Sequence, residues 1–207
     1  VYGIQAYDTY VLSFNYTNTY QRLYNNKDQP HIVLENFIDY IHGKAIAENN
    51  IDTNNMVLGI DEYLPDDRKD KDTDFIAFKK YYQRIFKGTG CKYKEWVDEI
   101  KEDWENESEE SKTKIRKCIS RGNLKNEKIH NLYIFGHSLD VTDKDVLRDL
   151  ILNDNVHTTI FYHSKDELGR KIANLVKVIG QDELIRRTGG STKTIDFKEQ
   201  QKMQERD

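Results

Sequence analysis

Cysteine is scarce in this 207-residue chain: Cys91 and Cys118 are the whole complement. Both sit in charged, helix-like sequence without metal-ligand spacing. That argues against a disulfide scaffold and fits a reducing, cytoplasmic compartment. No apolar run approaches the ~20 residues needed to cross a bilayer, and no signal-peptide pattern opens the chain, so no membrane partner is expected. A basic excess is missing too. The net charge of −4 offers no cationic field for nucleic acid, which is not expected as a partner. There is no internal repeat, no GxGxxG fingerprint and no P-loop. No acidic metal cluster stands out, so no metal is expected and a nuclease is the weakest reading.

What is present is a polar but foldable chain. Charged residues make up 33% and the hydrophobic class 37%, yet 13 Tyr and 8 Phe argue against disorder. Short apolar runs read as strands at 10–14 (YVLSF), 37–41 (FIDYI), 56–60 (MVLGI), 132–135 (LYIF) and 158–162 (TTIFY). Their near-continuous apolarity suits strands covered on both faces. Helical stripes separate the later ones: Val146, Leu147, Leu150 and Ile151, then Leu168, Ile172, Leu175, Val176 and Ile179. Strand alternating with helix from 132 to 180 predicts a parallel α/β unit.

The middle of the chain differs. Phe75, Phe78, Tyr82, Ile85 and Phe86 mark one amphipathic helix, and Trp96, Val97, Ile100 and Trp104 another. The acidic stretch EDWENESEESKTK reads as a solvated helix face or loop. The organisation expected is a first part of an α/β core over 1–62, a helical insertion over 63–130, and the second part of the core with a polar C-terminal helix over 131–207. The connection over 43–55 is too short for a helical crossover, so 37–41 and 56–60 are expected to pair antiparallel.

Each expected strand runs into a polar cluster: Asn15-Tyr16-Thr17-Asn18, His42-Gly43, Asp61-Glu62, Gly136-His137-Ser138-Leu139-Asp140, and His163-Ser164. In an open parallel sheet the carboxyl ends share one rim, where ligands bind. Amides, imidazoles and hydroxyls suit a ligand better than lysines and glutamates would. Each cluster has a plain structural reading as well. Thr17 or Asn18 fits a helix cap, and His42-Gly43 fits a turn with glycine at positive φ. Ser164 with Glu167 fits a capping box, and Thr142 fits a cap before DKDVLRDL. GHSLD adds a glycine at a strand end before a helix, a geometry suited to a nucleotide's phosphate or ribose. TGGS at 188–191 reads as a helix C-cap and loop. His31, His130 and His157 read as structural or surface histidines.

FNYTNT, YIHG, VLGIDE, FKKYYQRI and IFGHSLDVTDKDVL, in this order, resemble the bacteriophage abortive-infection family AbiH over roughly residues 10 to 165. The string FGHSLDVTDKD is the most specific of them. Family members carry a GNGFD-type glycine segment after their first strand. None occurs here, so the chain reads as the larger, C-terminal part of such a protein, with an unpaired sheet edge or a compensating homo-oligomer expected. More distantly, Asn15, His42-Gly43 and Gly136-His137-Ser138-Leu139 resemble the order of site residues in sirtuins and sirtuin-like defence NADases. That resemblance implies a Rossmann-like, sirtuin-like core and an NAD site. Asn15 and His42 would be catalytic, and Thr17, Asn18, Gly43, Gly136, His137 and Ser138 would contact the nucleotide. The sirtuin cysteine quartet is absent, which argues against deacetylation.

The implied reaction cleaves the nicotinamide–ribose bond through an oxocarbenium-like state, with His42 as base and Asn15 orienting water or ribose. Asp61 is given no catalytic role. Two alternatives stand beside this NAD glycohydrolase reading. One is a nucleotide sensor without turnover. The other is an interaction module whose helical insertion docks a phage or host protein as trigger.

Overall fold

The computed structural model describes residues 9–23, 37–59 and 76–201. It is a mixed α/β structure that divides into two compact units, Val1–Glu95 and Trp96–Asp207.

The first unit contains strand β1 (Val11–Ser13), helix α1 (Thr19–Leu23), strand β2 (Ile38–Tyr40), helix α2 (Lys80–Lys87) and the start of helix α3 (Tyr93–Glu105). β1 and β2 pair in parallel, Val11 opposite Ile38 and Ser13 opposite Tyr40. Among its described residues, Ile38, Ile41, Val57 and Tyr93 are the buried apolar side chains.

Residues 56–59 do not form the expected strand, and the antiparallel pairing with 37–41 does not arise. β2 takes β1 as its parallel partner. The segment is tethered through its backbone instead. The Val57 N–H donates to the His42 carbonyl at 2.8 Å, the Leu58 N–H to the Gln83 side chain at 2.9 Å, and the Lys87 ammonium to the Met56 carbonyl. Gly59 fixes this choice: a Cβ there would meet Lys80 N and Phe78 O at 2.6 Å. The chain therefore lies against the start of α2. Position 60, Asp61, Glu62 and Phe75 fall outside the described residues, as do 1–8 and His31.

The second unit continues α3 and adds helix α4 (Glu109–Ser120), strand β3 (His130–Ile134), helix α5 (Lys144–Ile151), strand β4 (Val156–Tyr162), helix α6 (Lys165–Ile179), helix α7 (Gln181–Thr188) and strand β5 (Ile195–Glu199). Its sheet has the order β3-β4-β5, parallel throughout, with Ile134 opposite Ile160 and Ile160 opposite Phe197. The expected alternation of strand and helix from 132 to 180 is present. Ile134, Ile160 and Ile195 form a core with Leu147, Ile151, Leu175 and Val178. Trp104 of α3 packs on Ile115, Ile119 and Ile129.

Local signals explain the helix boundaries. Ser164 Oγ accepts the Glu167 N–H at 3.2 Å, the cap expected from its sequence, while the Glu167 carboxylate takes the His163 N–H at 2.7 Å. Before α5 the cap is Asp140, whose Oδ1 accepts the Thr142 N–H at 3.0 Å; Thr142 is the capped residue rather than the cap. The first part of the polar tail expected as a helix belongs to a strand at 195–199, because Ile195 and Phe197 alternate with polar residues and turn onto the core, and 202–207 lie outside the described residues.

Candidate functional site

The parallel pairing of β1 with β2 sets their carboxyl ends side by side. The rungs continue past the strands, since the Ile41 N–H donates to the Ser13 carbonyl at 3.0 Å. Asn15 and His42-Gly43 are thereby brought to one rim, as the sequence implied. Their environments differ. Asn15 is exposed, and its backbone N–H and carbonyl each engage the Ser13 hydroxyl at 3.3 Å. His42 is only 6% exposed. Its ring lies edge-on to Phe14, centroids 5.6 Å apart, and 6.1 Å from the Tyr16 ring. The side chains flanking Asn15 therefore bury the imidazole behind it.

The loop around this rim is tied down. The Tyr16 hydroxyl donates to the Val57 carbonyl at 2.6 Å and the Ala45 N–H to the Tyr16 carbonyl at 2.7 Å. Gly43 has φ of 77°, and a Cβ would sit 2.1 Å from the Asn55 carbonyl oxygen, so glycine is required. Thr17 is exposed and shares a 2.8 Å hydrogen bond with the Thr19 hydroxyl; the Asn18 carbonyl accepts the Arg22 N–H at 3.0 Å, opening α1.

The second cluster, Gly136-His137-Ser138, follows β3 in the other unit. Gly136 has φ of 62°, is exposed, and has no atom within 4 Å of a would-be Cβ, so its backbone is open to close approach. His137 Nδ1 accepts the Leu139 N–H at 2.9 Å, which leaves the ring proton on Nε2, 3.4 Å from Asp143 Oδ2. Both ring nitrogens hold the loop. Leu139 is fully buried yet has φ of 59°, in the left-handed region that L side chains avoid. Asn174 of α6 donates to the Ser138 carbonyl at 2.9 Å, and the Ser138 side chain is left at the surface. The loop is a built turn that presents a glycine backbone and a hydroxyl. Asp140 and Asp143 sit beside it, Asp140 accepting the Thr142 N–H and Asp143 facing the His137 ring. In the last cluster, His163 and Ser164 are both exposed, with their backbone and hydroxyl groups used in the α6 cap.

The structure also brings forward residues that the sequence reading passed over. Asp39 of β2 is buried and accepts the Tyr93 N–H at 3.1 Å; burial pushes its carboxyl above the ordinary range. Its apolar neighbours in FIDYI gave no hint of a cap to a helix more than fifty positions away. Arg187 is almost wholly buried. It donates to Glu183, Asp154, Thr194 and the carbonyls of Leu152 and Asn153, over distances of 2.6 to 3.3 Å. Its partners lie on α7, beyond α5 and before β5, a pattern no local motif reveals. The three histidines read as structural or surface divide accordingly. His157 is buried against Asp196 at 3.0 Å, His130 meets Asp103 at 3.2 Å, and His31 is outside the described residues.

A small pocket lies beside Arg116, Asp154, Arg186, Thr192, Lys193 and Thr194, with about 10 Å³ of space, enough for one water. Its cations are already paired, Arg116 with Asp154 at 3.1 Å and Lys193 with Asp196 at 2.5 Å. Among the described residues, no group of three His, Cys, Asp or Glu side chains is placed to hold a metal ion, and no helix is long and apolar enough to cross a membrane.

Comparison with known proteins gives one finding. A family model described as bacteriophage abortive infection AbiH matches residues 3–163. Neither a curated protein nor a solved structure matches the chain significantly.

Proposed function

Because the chain belongs to the AbiH family of bacteriophage abortive-infection proteins, we propose that it serves anti-phage defence by engaging NAD at the carboxyl ends of its parallel strands. The observation carrying this reading is the Gly136–Ser138 turn. It combines an unobstructed glycine backbone with an exposed hydroxyl, at a parallel strand's end and before a helix. Ser138, with the carboxylates nearby, suits the hydroxyls of a ribose. The first unit has a strand rim of its own, where Asn15 is exposed and Thr17, Asn18 and Gly43 border it; its amide would orient a ribose or a water bound there.

In the enzymatic form of this reading, His42 withdraws a proton from a ribose hydroxyl or water as the glycosidic bond to nicotinamide breaks. The enclosure of His42 by Phe14 and Tyr16 favours the second reading, a nucleotide sensor that binds without turnover. A base must reach the proton it takes, and this ring reaches solvent only if its aromatic neighbours give way.

The test is made in infected cells. Strains carrying the full-length protein, its Asn15→Ala variant or its Ser138→Ala variant are challenged with phage, and plaque formation is scored beside cellular NAD. The enzymatic reading expects NAD to fall on infection, and both variants to lose protection and spare NAD. Protection lost by the variants with NAD unchanged throughout supports the sensor. Protection kept by both variants contradicts the site.

A further inference from the structure

Helix α2 is amphipathic the wrong way round. Its sequence, KYYQRIFK, places Tyr81, Tyr82, Ile85 and Phe86 on one side, and that side faces solvent. Ile85 is 73% and Phe86 77% exposed, and Phe78 before the helix and Leu58 beside it are each more than half exposed. The Lys79 ammonium lies against the edge of this side, 5.8 Å from the Tyr81 ring centroid. Arg84 and Lys79 are buried, and the Lys87 ammonium is committed to the Met56 carbonyl. The Tyr82 and Phe86 rings lie 6.0 Å apart and within 8° of parallel, forming a flat aromatic facet. A contiguous apolar patch of this kind marks an interaction surface.

We infer that this face is a homodimer interface, closed by α2 of a second copy of the chain across a two-fold axis. Two arguments select that occupant. The first is charge. A surface for nucleic acid or anionic lipid needs lysines and arginines flanking its aromatics. Here Arg84 is buried, the Lys87 ammonium is committed to the Met56 carbonyl and the Lys79 ammonium is engaged by the Tyr81 ring at 5.8 Å, so none of the three is offered to a phosphate. The flat Tyr82–Phe86 facet is complementary to itself, which an isologous contact requires. The second is area. At ~150–250 Å² per aromatic side chain, the exposed fractions correspond to roughly 600 Å² of apolar surface per copy, close to the ~800 Å² per partner of a standard stable interface. The inference is independent of NAD binding and stands or falls without it.

Sedimentation velocity over a micromolar concentration series, at low and high salt, tests it. The wild-type chain is expected to dimerise and to remain dimeric as salt rises, because no charge pair holds the contact. Ile85→Asp and Phe86→Asp should each weaken the dimer by roughly 30-fold or more. Ile185→Asp, on the exposed side of α7, should leave it unchanged. Circular dichroism confirms that each variant is folded. A photo-crosslinking residue at Tyr82 gives an independent readout, and its crosslinks should join α2 to α2. A monomeric wild type, a dimer indifferent to both aspartates, dissociation by salt, or crosslinks that avoid α2 would each overturn the inference. So would binding of anionic vesicles by a monomer that Ile85→Asp abolishes, which would assign the face to a membrane.

Discussion

Among the described residues, the two units differ in the contacts that brace them. In Trp96–Asp207 the polar interior is cross-linked by charge: Arg187 alone joins Glu183, Asp154, Thr194 and two backbone carbonyls, and Lys171 is buried against Glu167 at 3.1 Å and the Phe161 carbonyl at 2.6 Å. In Val1–Glu95 two three-residue strands are supported by rings, with Phe14 and Tyr16 around His42 and Tyr10 against Phe37 at 5.3 Å. A unit braced by ion pairs and a three-stranded sheet is a scaffold. A unit braced by aromatic contacts has more rotational latitude. It also carries the exposed apolar helix and the exposed Asn15. Function-like surfaces are thus carried by both units, the exposed Asn15 and the apolar helix on this one and the Gly136–Ser138 turn on the scaffold.

The largest expected effect breaks the scaffold. Arg187→Met removes every donor at the hub and leaves the Leu152 and Asn153 carbonyls without it, while Glu183 and Asp154 keep Arg186 and Arg116, a loss of about 2–4 kcal/mol. Thermal unfolding should drop accordingly, and amide exchange should quicken in α7 and β5. An unchanged melting temperature would mean that the network is ornamental. Next comes the lighter unit. His42→Ala empties the space between Phe14 and Tyr16 and should cost about 1.5–3 kcal/mol. Exposed Asn15→Ala should shift stability by no more than ~0.5 kcal/mol. Equal effects of the two variants would erase the distinction drawn between a ring-packed and a solvent-facing residue.

Two pH tests sharpen the same contrast, with smaller effects. Hydrogen bonds from Arg186, and then Arg187, lower the Glu183 carboxyl to about 2 from its ordinary 4.5. A depressed carboxylate stabilises fully above the unfolded value, and that contribution is lost as pH falls from 4.5 towards 2. After allowance for solvent screening it amounts to about 2 kcal/mol or less. Glu183→Gln should remove this acid sensitivity, as followed by urea unfolding at a series of pH values. Asp39 has the opposite sign. Burial raises its carboxyl, so the folded unit prefers the protonated form and its stability falls as pH rises above the unfolded value. Asp39→Asn keeps an acceptor for the Tyr93 N–H without a buried charge. It should be neutral or mildly stabilising near pH 7, within ~1 kcal/mol. A marked loss would show that the charge itself is needed.

These assignments also show how far sequence carries. Apolar runs located β1 to β4, and the Leu175 and Leu147 stripes located the helices that cover β4, because burial on both faces leaves a continuous apolar signal. The same signal misled at MVLGI: among its described residues only Val57 is fully buried, Leu58 points to solvent, and Gly59 docks against α2. β5 was missed because a charged edge strand shows only the alternation of Ile195 and Phe197, drowned by the glutamines and charges that follow. Periodicity found the α2 stripe but could not say which way it faced. For the candidate site, residue type and strand-end position were legible in Asn15, His42 and Gly136–Ser138. The burial of His42 and the locking of His137 by Leu139 and Asp143 arise from contacts the local sequence does not encode.

The most direct test of the central claim is NAD binding by the purified protein, followed by calorimetric titration with nicotinamide release recorded on the same samples. The account predicts saturable binding that Asn15→Ala and Ser138→Ala each weaken by about tenfold or more, one lost hydrogen bond's worth, without loss of fold. Absence of both binding and nicotinamide release from a well-folded wild-type protein at millimolar NAD would contradict it.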